Sequence, residues 1–374
     1  MTSPPHLLAI NFRDPAHPEA GGAELHLEEI LLEAVRRGQR VTWLASTFQG
    51  GAAEVAYRGM RIVRRGDWYD FNLAVPRVLA REFSGAKIPD LVIEDINKVP
   101  CFAAQWTKAP VAVIVPHLFG AAAFQEANPV IASYVVLLES LIPRAYAKSR
   151  FLVISESTRD DLIARGVRPE LIHVVHCGLD HAQYRVDPAV ARAARPTLLY
   201  VGRLRRYKGL DWVLRTLPEL LRAVPQARLE VIGDGPWAAA LRRLAEKSSV
   251  AHAVDFLGFL PLADKVKHMQ SAWAVVQPSP KEGWGLTVVE AGACGTAVVA
   301  ADSPGLRDSV RRDETGLMVR YDDDAGLSDA FRRVLTDTGL RDSLGAAGVE
   351  WASRFRWDDC ARRSLDVLLG EGRG

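Results

Sequence analysis

The sequence predicts two doubly wound α/β domains, one following the other. Short apolar runs rich in β-branched residues alternate with segments of helical spacing, as parallel strands with crossover helices require. The pattern lapses across 181–196, a stretch of alanine, arginine and proline, and restarts with PTLLYVGRL at Pro196–Leu204. A chain of 374 residues with 48% hydrophobic content is long enough to bury two cores.

In the first half, Leu7–Asn11 reads as a strand, followed by a loop and the turn Gly21-Gly22. Leu25, Leu27, Ile30, Leu31, Ala34 and Val35 then recur at helical spacing, and Gly38 lies where a helix C-cap belongs. Val41–Ala45 is the next strand, which completes a βαβ unit and with it a parallel sheet. Gly21-Gly22 is not the GxGxxG fingerprint of dinucleotide oxidoreductases. Further strands are expected at Arg61–Arg64, Leu91–Glu94, Val111–Val115, Phe151–Ile154 and His173–Val175, with helices at Ala74–Phe83 and Ile131–Ala147.

Two strand ends in this half carry polar groups at the carboxyl edge, where open α/β sheets place ligands. His117 follows VAVIVP directly, as either a satisfied loop histidine or a site residue. Glu94-Asp95-Ile96-Asn97 ends another strand, as either a loop cap or an acceptor contact. Ser155 or Ser157 with Asp160 and Asp161 opens a helix. His173 and His176 lie on opposite faces of a strand, so a metal site there is not expected. Val130–Arg150 is apolar and then basic; a buried core helix is expected, with a membrane-touching face as the alternative.

In the second half, Gly202, Arg203, Lys208 and Gly209 occupy a strand-to-helix turn, where Arg and Lys together can neutralise a diphosphate. Arg228–Ile232 ends in Gly233-Asp234-Gly235-Pro236, and Val254–Leu260 gives another strand and a turn at Gly258. Gln277–Ala300 then runs strand, loop, helix, strand. Glu282 sits in its loop and Glu290 in its helix, while Gly283 and Gly285 flank the helix start, so amides there can face a ligand without Cβ obstruction. A helix N-terminus suits a pyrophosphate, and carboxylates suit neutral sugar hydroxyls as acceptors. Together they call for a nucleotide-sugar. Asp322-Asp323-Asp324 matches a DxD metal pattern, but acidic N-caps are expected at that position.

The net charge is +2, with 19 basic and 19 acidic side chains in residues 1–178 and 28 and 26 in the rest, so nucleic acid is not an expected partner. The N-terminus lacks the features of a signal peptide, and no apolar run reaches the roughly 18 residues of a membrane span. Cys101, Cys177, Cys294 and Cys360 have no paired spacing and read as buried thiols. A cytoplasmic protein is expected, with peripheral contact at the inner face of the membrane as an addition.

EGWGLTVVE (Glu282–Glu290), AGACGTAVVA (Ala291–Ala300), GRL…KG (Gly202–Gly209), the Gly233–Pro236 turn and GGAE (Gly21–Glu24) together resemble glycosyltransferase family 4, the retaining glycosyltransferases of GT-B fold. The resemblance covers nearly the whole chain. Trp284 stands where Phe is usual, and the family's NGVD reads His176-Cys177-Gly178-Leu179-Asp180 here. The family's Gly-Gly pair with Glu is replaced by Ser303-Pro304-Gly305.

The resemblance implies an N-terminal acceptor-side domain (1–180), a linker (181–196), a C-terminal donor domain (197–355) facing it across a cleft, and a terminal helix (356–374) that crosses back. It implies catalytic roles for His117, Arg203, Lys208 and Glu282. It implies donor contacts from Gly21, Gly22, Gly202, Asp234, Gly258, Gly283, Trp284, Gly285, Leu286, Thr287 and Glu290, with Glu290 on the ribose and Glu282 on the sugar. No metal and no cofactor are implied. The donor is a nucleoside-diphosphate sugar; its base is held by backbone groups, with UDP expected ahead of GDP and ADP. The acceptor is a glycan, a lipid-linked molecule or a small molecule. A sugar-nucleotide 2-epimerase and a non-catalytic nucleotide-sugar-binding subunit are the alternatives.

Overall fold

Runs of Val, Ile, Leu and Ala buried on both faces form the strands, and each sheet is therefore covered by helices on two sides. The computed structural model describes residues 4–126 and 128–371. The chain divides into two units, one reaching to Gly178 and including the helix from Trp357 onward, the other Leu179–Arg356.

Unit one contains β1 (His6–Ile10), α1 (Gly22–Arg36), β2 (Arg40–Ala45), β3 (Glu54–Tyr57), β4 (Met60–Arg64), α2 (Phe71–Glu82), β5 (Leu91–Asp95) and β6 (Val111–Val115). It continues with α3 (Ala123–Glu126), α4 (Pro129–Ser140), α5 (Ile142–Ala145), β7 (Phe151–Val153), α6 (Glu156–Ala164) and β8 (Ile172–Val174). The sheet order is β3-β4-β2-β1-β5-β6-β7-β8, with only the β3–β4 hairpin antiparallel. Strand β3 lies outside the expected strands because three of its four residues are exposed and leave no apolar run. The chain winds outward from β1 in one direction, then returns to β5 and winds the other way. The switch point is between β1 and β5.

Unit two contains β9 (Thr197–Val201), α7 (Leu210–Ala223), β10 (Arg228–Ile232), α8 (Ala238–Lys247), β11 (Val254–Gly258), α9 (Leu262–Ser271), β12 (Ala274–Gln277), α10 (Leu286–Ala293) and β13 (Ala297–Ala301). It ends with α11 (Leu306–Ser309), β14 (Gly316–Val319), α12 (Asp324–Thr336) and α13 (Thr338–Ala352). Its sheet is fully parallel, in the order β11-β10-β9-β12-β13-β14, so its switch point lies between β9 and β12. Residues 179–196 are fastened to this unit. The Arg192 guanidinium donates to the carbonyls of Gln270, Ala272 and Gly295, and Trp273 Nε1 donates to Ala193 O at 2.8 Å. The last helix, α14 (Trp357–Leu369), packs in unit one, where Cys360, Leu365 and Leu368 join Leu27, Ile30 and Leu31 in one core cluster. Two buried leucines are worth about 3–6 kcal/mol together, enough to hold this helix on α1.

The helix expected over Ile131–Ala147 differs in two ways. It breaks after Ser140, because Pro143 lacks an N–H and disfavours helical geometry before it. Nor is it a core helix: in α4 only Ala132 and Glu139 are buried, while Val130 is 79% and Leu137 58% exposed.

Candidate functional site

Arg203 and Lys208 lie beyond the carboxyl end of β9, and the 278–285 loop lies beyond that of β12, so the two segments flank the switch point of unit two. Lys208 Nζ donates to Glu282 Oε1 at 2.6 Å, bridging them. Gln277 Nε2, at the end of β12, donates to the same oxygen at 2.8 Å. Both side chains of the pair are mostly buried, at 14% and 13% exposure. Burial opposes the charge on Lys208, but the Glu282 carboxylate and the Tyr207 phenol outweigh it and hold the ammonium above the ordinary lysine pKa. Arg203 is close enough to act on Lys208 as a second positive charge, in the opposite sense. The mostly buried Lys208–Glu282 pair and the exposed Arg203 beside it together retain a net positive charge for an anion.

Close backbone approach assembles this edge, and glycines permit it. Gly209 has φ +72°, and a Cβ there would stand 2.5 Å from Pro278 O. Gly305 has φ +79°, and its Cβ would stand 2.2 Å from Glu282 O. Gly233 and Gly235 press in the same way against Gly202 O and Leu204 O, which places Asp234 beside the Arg203 turn. Leu204 N donates to Asp234 O at 2.9 Å, and Gly233 N to Gly258 O at 2.7 Å. The loops after β9, β10, β11, β12 and β13 are thereby tied into one rim.

Gly285, in the left-handed region at φ +85°, begins α10, and no side chain caps that end. The first amides of the helix, at Leu286 and Thr287, are left for solvent or ligand. Gly283 precedes them in the same loop. Trp284 is turned inward: it is 2% exposed and packs edge-on against Phe355 at 5.2 Å, so only its backbone can meet a donor. Glu290, one turn into α10, is held by Lys265 Nζ at 3.2 Å, with the Tyr184 phenol close by. No spacing or motif marks Gln277, Lys265 or Tyr184 as partners, because each reaches its glutamate only through the fold. Asp323 caps α12 by accepting from Gly326 N at 2.9 Å, and Asp322 pairs with Arg215 at 2.6 Å.

In unit one, His117 stands directly after β6 and Pro116, half-buried, with its ring edge-on to Phe119 at 5.1 Å. The buried Glu139 of α4 accepts from Phe119 N at 2.6 Å and Gly120 N at 2.9 Å, fixing the loop that carries the imidazole. Spacing could not have revealed this clamp, since Glu139 interrupts an apolar helix. Glu94 is a loop anchor, accepting from Cys101 N at 2.6 Å and Ala103 N at 2.9 Å. Asp95 and Asn97 join a buried polar network at the β1–β5 switch point. Asn11 Nδ2 donates to Asp95 at 2.8 Å, Asn97 Nδ2 donates to Asn11 and Glu24 at 3.0 Å, and Gly21 N donates to Glu24 at 2.7 Å. Burial, helped by Glu24, pushes the Asp95 carboxyl well above its usual range. The network fastens the Gly21-Gly22 turn at the start of α1.

Two doubly wound parallel sheets define the class, a GT-B fold. Sucrose-phosphate synthase from Thermosynechococcus elongatus superposes with a TM-score of 0.81 at 21% identity, covering 98% of both chains. Anabaena HepE, solved in complex with UDP-glucose, gives 0.75 at 18% identity over 98% of this chain and 99% of that one. Residues 20–183 match the family described as Glycosyltransferase Family 4, and residues 187–351 match Glycosyl transferases group 1. The two matches adjoin and account for most of the sequence. The chain belongs to glycosyltransferase family 4. Among curated relatives, it is 34% identical over 211 residues to the GDP-mannose-dependent alpha-(1-6)-phosphatidylinositol monomannoside mannosyltransferase of Mycobacterium tuberculosis, covering 52% of this chain and 54% of the relative. It is 35% identical over 253 residues to the D-inositol 3-phosphate glycosyltransferase of Acidothermus cellulolyticus, covering 63% and 54%. The chain spans about half the length of the curated relatives it matches.

Proposed function

We propose that this protein is a retaining, metal-independent glycosyltransferase that moves a hexose-type sugar from a nucleoside-diphosphate sugar to a glycan, lipid-linked or small-molecule acceptor. The observation that carries the reading is the Lys208–Glu282 contact at the β9–β12 switch point, beside the uncapped start of α10. Arg203, Lys208 and the amides of Leu286 and Thr287 are suited to a diphosphate, and they stabilise the charge that grows as the nucleotide departs. Glu282 takes sugar hydroxyls and Glu290 the ribose. Gly21 and Gly22 approach the donor, Gly202, Asp234 and Gly258 line its nucleotide side, and His117 polarises or orients the reacting sugar. These roles draw on the family resemblance and on the geometry within each unit.

Metal independence draws support from the use of Asp322 and Asp323 as an ion-pair partner and a helix cap. The names of relatives include a GDP-mannose-dependent enzyme, and a solved neighbour holds UDP-glucose, so both bases belong in any screen. The test is a transfer assay followed by proton NMR of the product's anomeric signal, with and without EDTA. Product of the donor's own anomeric configuration, formed equally in EDTA, is expected. Inverted product or an EDTA-sensitive rate would overturn the retaining or the metal-independent part. Conversion of the sugar-nucleotide without any acceptor would favour the 2-epimerase instead.

A peripheral membrane contact is a second element of the proposal. Val130, Ile131, Tyr134 and Leu137 of α4 are exposed, and the exposed Arg144 and Lys148 follow, a composition suited to an anionic lipid surface. No described helix is long and apolar enough to cross a membrane. Sedimentation with anionic liposomes at low salt is expected to carry the protein down, and Val130→Asp/Leu137→Asp to leave it in solution. Absence of wild-type binding would remove this element.

A further inference from the structure

A carboxylate on the helix that is to receive a diphosphate creates a problem, because two anions so placed repel each other. Glu290 is such a carboxylate, one turn inside α10. Three segments distant in sequence meet around it. Lys265 Nζ of α9 lies 3.2 Å from Glu290 Oε2. The Tyr184 phenol, from the 179–196 segment, lies close enough for the Glu290 carboxylate to act on it. The Lys265 ammonium also sits over the Tyr184 ring, 4.9 Å from its centroid. Tyr184 is 6% exposed, and the side chains of Lys265 and Glu290 are 20% and 14% exposed, so solvent screens this triangle only weakly. Burial and the neighbouring carboxylate raise the Tyr184 phenol above its ordinary pKa, which keeps it a donor. The arrangement repeats that of Glu282, which Lys208 holds. Each glutamate has its own lysine.

We propose that Lys265 and Tyr184 are positioning residues of the donor site. Lys265 cancels the charge of Glu290, so the carboxylate can accept hydroxyls without repelling the diphosphate. Tyr184 occupies one side of the carboxylate and fixes which lone pairs face the ribose. The inference rests on the donor-site reading and adds to it two side chains that the family motifs do not contain.

Calorimetric titration separates the two levels. The probes are inorganic pyrophosphate, UDP, GDP and the 2′-deoxy forms of both nucleotides. The proteins are wild type, Lys265→Met, Lys265→Met/Glu290→Gln and Tyr184→Phe, with Lys265→Gln as a second substitution should the methionine variant not fold. Lys265→Met is expected to weaken pyrophosphate about tenfold or more, and the double variant to recover to within about threefold of wild type. Tyr184→Phe is expected to bind pyrophosphate normally but to lose the preference for ribo- over 2′-deoxynucleotides. A merely structural role for Lys265 would give no recovery in the double variant. Wild-type affinity in Lys265→Met, or a double variant as weak as the single, overturns the inference while leaving the donor site standing. A wild-type protein that binds none of the probes overturns the donor-site reading and the inference with it.

Discussion

Lys208 is the side chain on which most of the proposed chemistry converges. Removing a preorganised charge aimed at a departing group costs on the order of 10²-fold in rate, so Lys208→Ala is expected to lower turnover by about that factor at saturating donor. A rate within about threefold of wild type would remove Lys208 from the chemical step. Because its ammonium is held above the ordinary lysine pKa, Lys208 stays charged across neutral and mildly alkaline pH. Arg203, Lys208, Glu282 and Glu290 were legible as candidates because each sits in a strand-to-helix segment whose glycines and charges mark it. Their partners were not. Gln277 lies at a strand end, Lys265 belongs to no motif and Tyr184 falls in the linker; only folding brings them to the two carboxylates. Trp284 shows the converse, since a motif position next to the donor loop spends its side chain on the core.

The loops of unit two behave as one element because glycines let their backbones touch. Gly305→Ala is expected to destabilise the protein by about 2 kcal/mol or more and to raise the donor KM, since the new Cβ combines positive φ with a clash on the Glu282 carbonyl. Gly38→Ala is the control. Gly38 also has a positive φ, +78°, but open space around it, so about 1 kcal/mol and an unchanged KM are expected. Urea midpoints and initial rates decide; equal effects of the two substitutions would show that the rim does not depend on this contact. At this scale the sequence located every strand of the second sheet except β14, whose four residues include a glycine. It located every strand of the first sheet except β3, because buried parallel strands read as apolar runs. The exposed β3 and the break before Pro143 depend on edge position and on one imino acid, and the apolar content of α4 suggested a core helix that solvent in fact covers.

Across the whole molecule, stability is set partly by groups buried in their uncharged form. His26 of α1 lies in the core of unit one without a hydrogen-bond partner on either ring nitrogen, and burial lowers its pKa to about 4. His6 is lowered to about 4 as well, by burial and then by Arg40. The unfolded chain protonates both rings near 6.5 and the folded chain only near 4, so their contribution is fully present above about pH 6.5 and is lost as pH falls toward 4. Asp95 and Glu94, raised by burial, act in the opposite sense. Comparison of wild type with His26→Leu isolates one group: the free-energy difference should move in favour of the variant by up to about 1.4 kcal/mol per pH unit below 6.5. A pH-independent offset would contradict a neutral, buried His26. The proposed activity requires unit two to grip a nucleoside diphosphate at its switch point. Calorimetric titration of UDP, GDP and ADP into wild type and Lys208→Ala tests this most directly. At least one nucleotide should bind, and the substitution should weaken it about tenfold or more. Binding of none of the three, or equal binding by both proteins, would contradict the account.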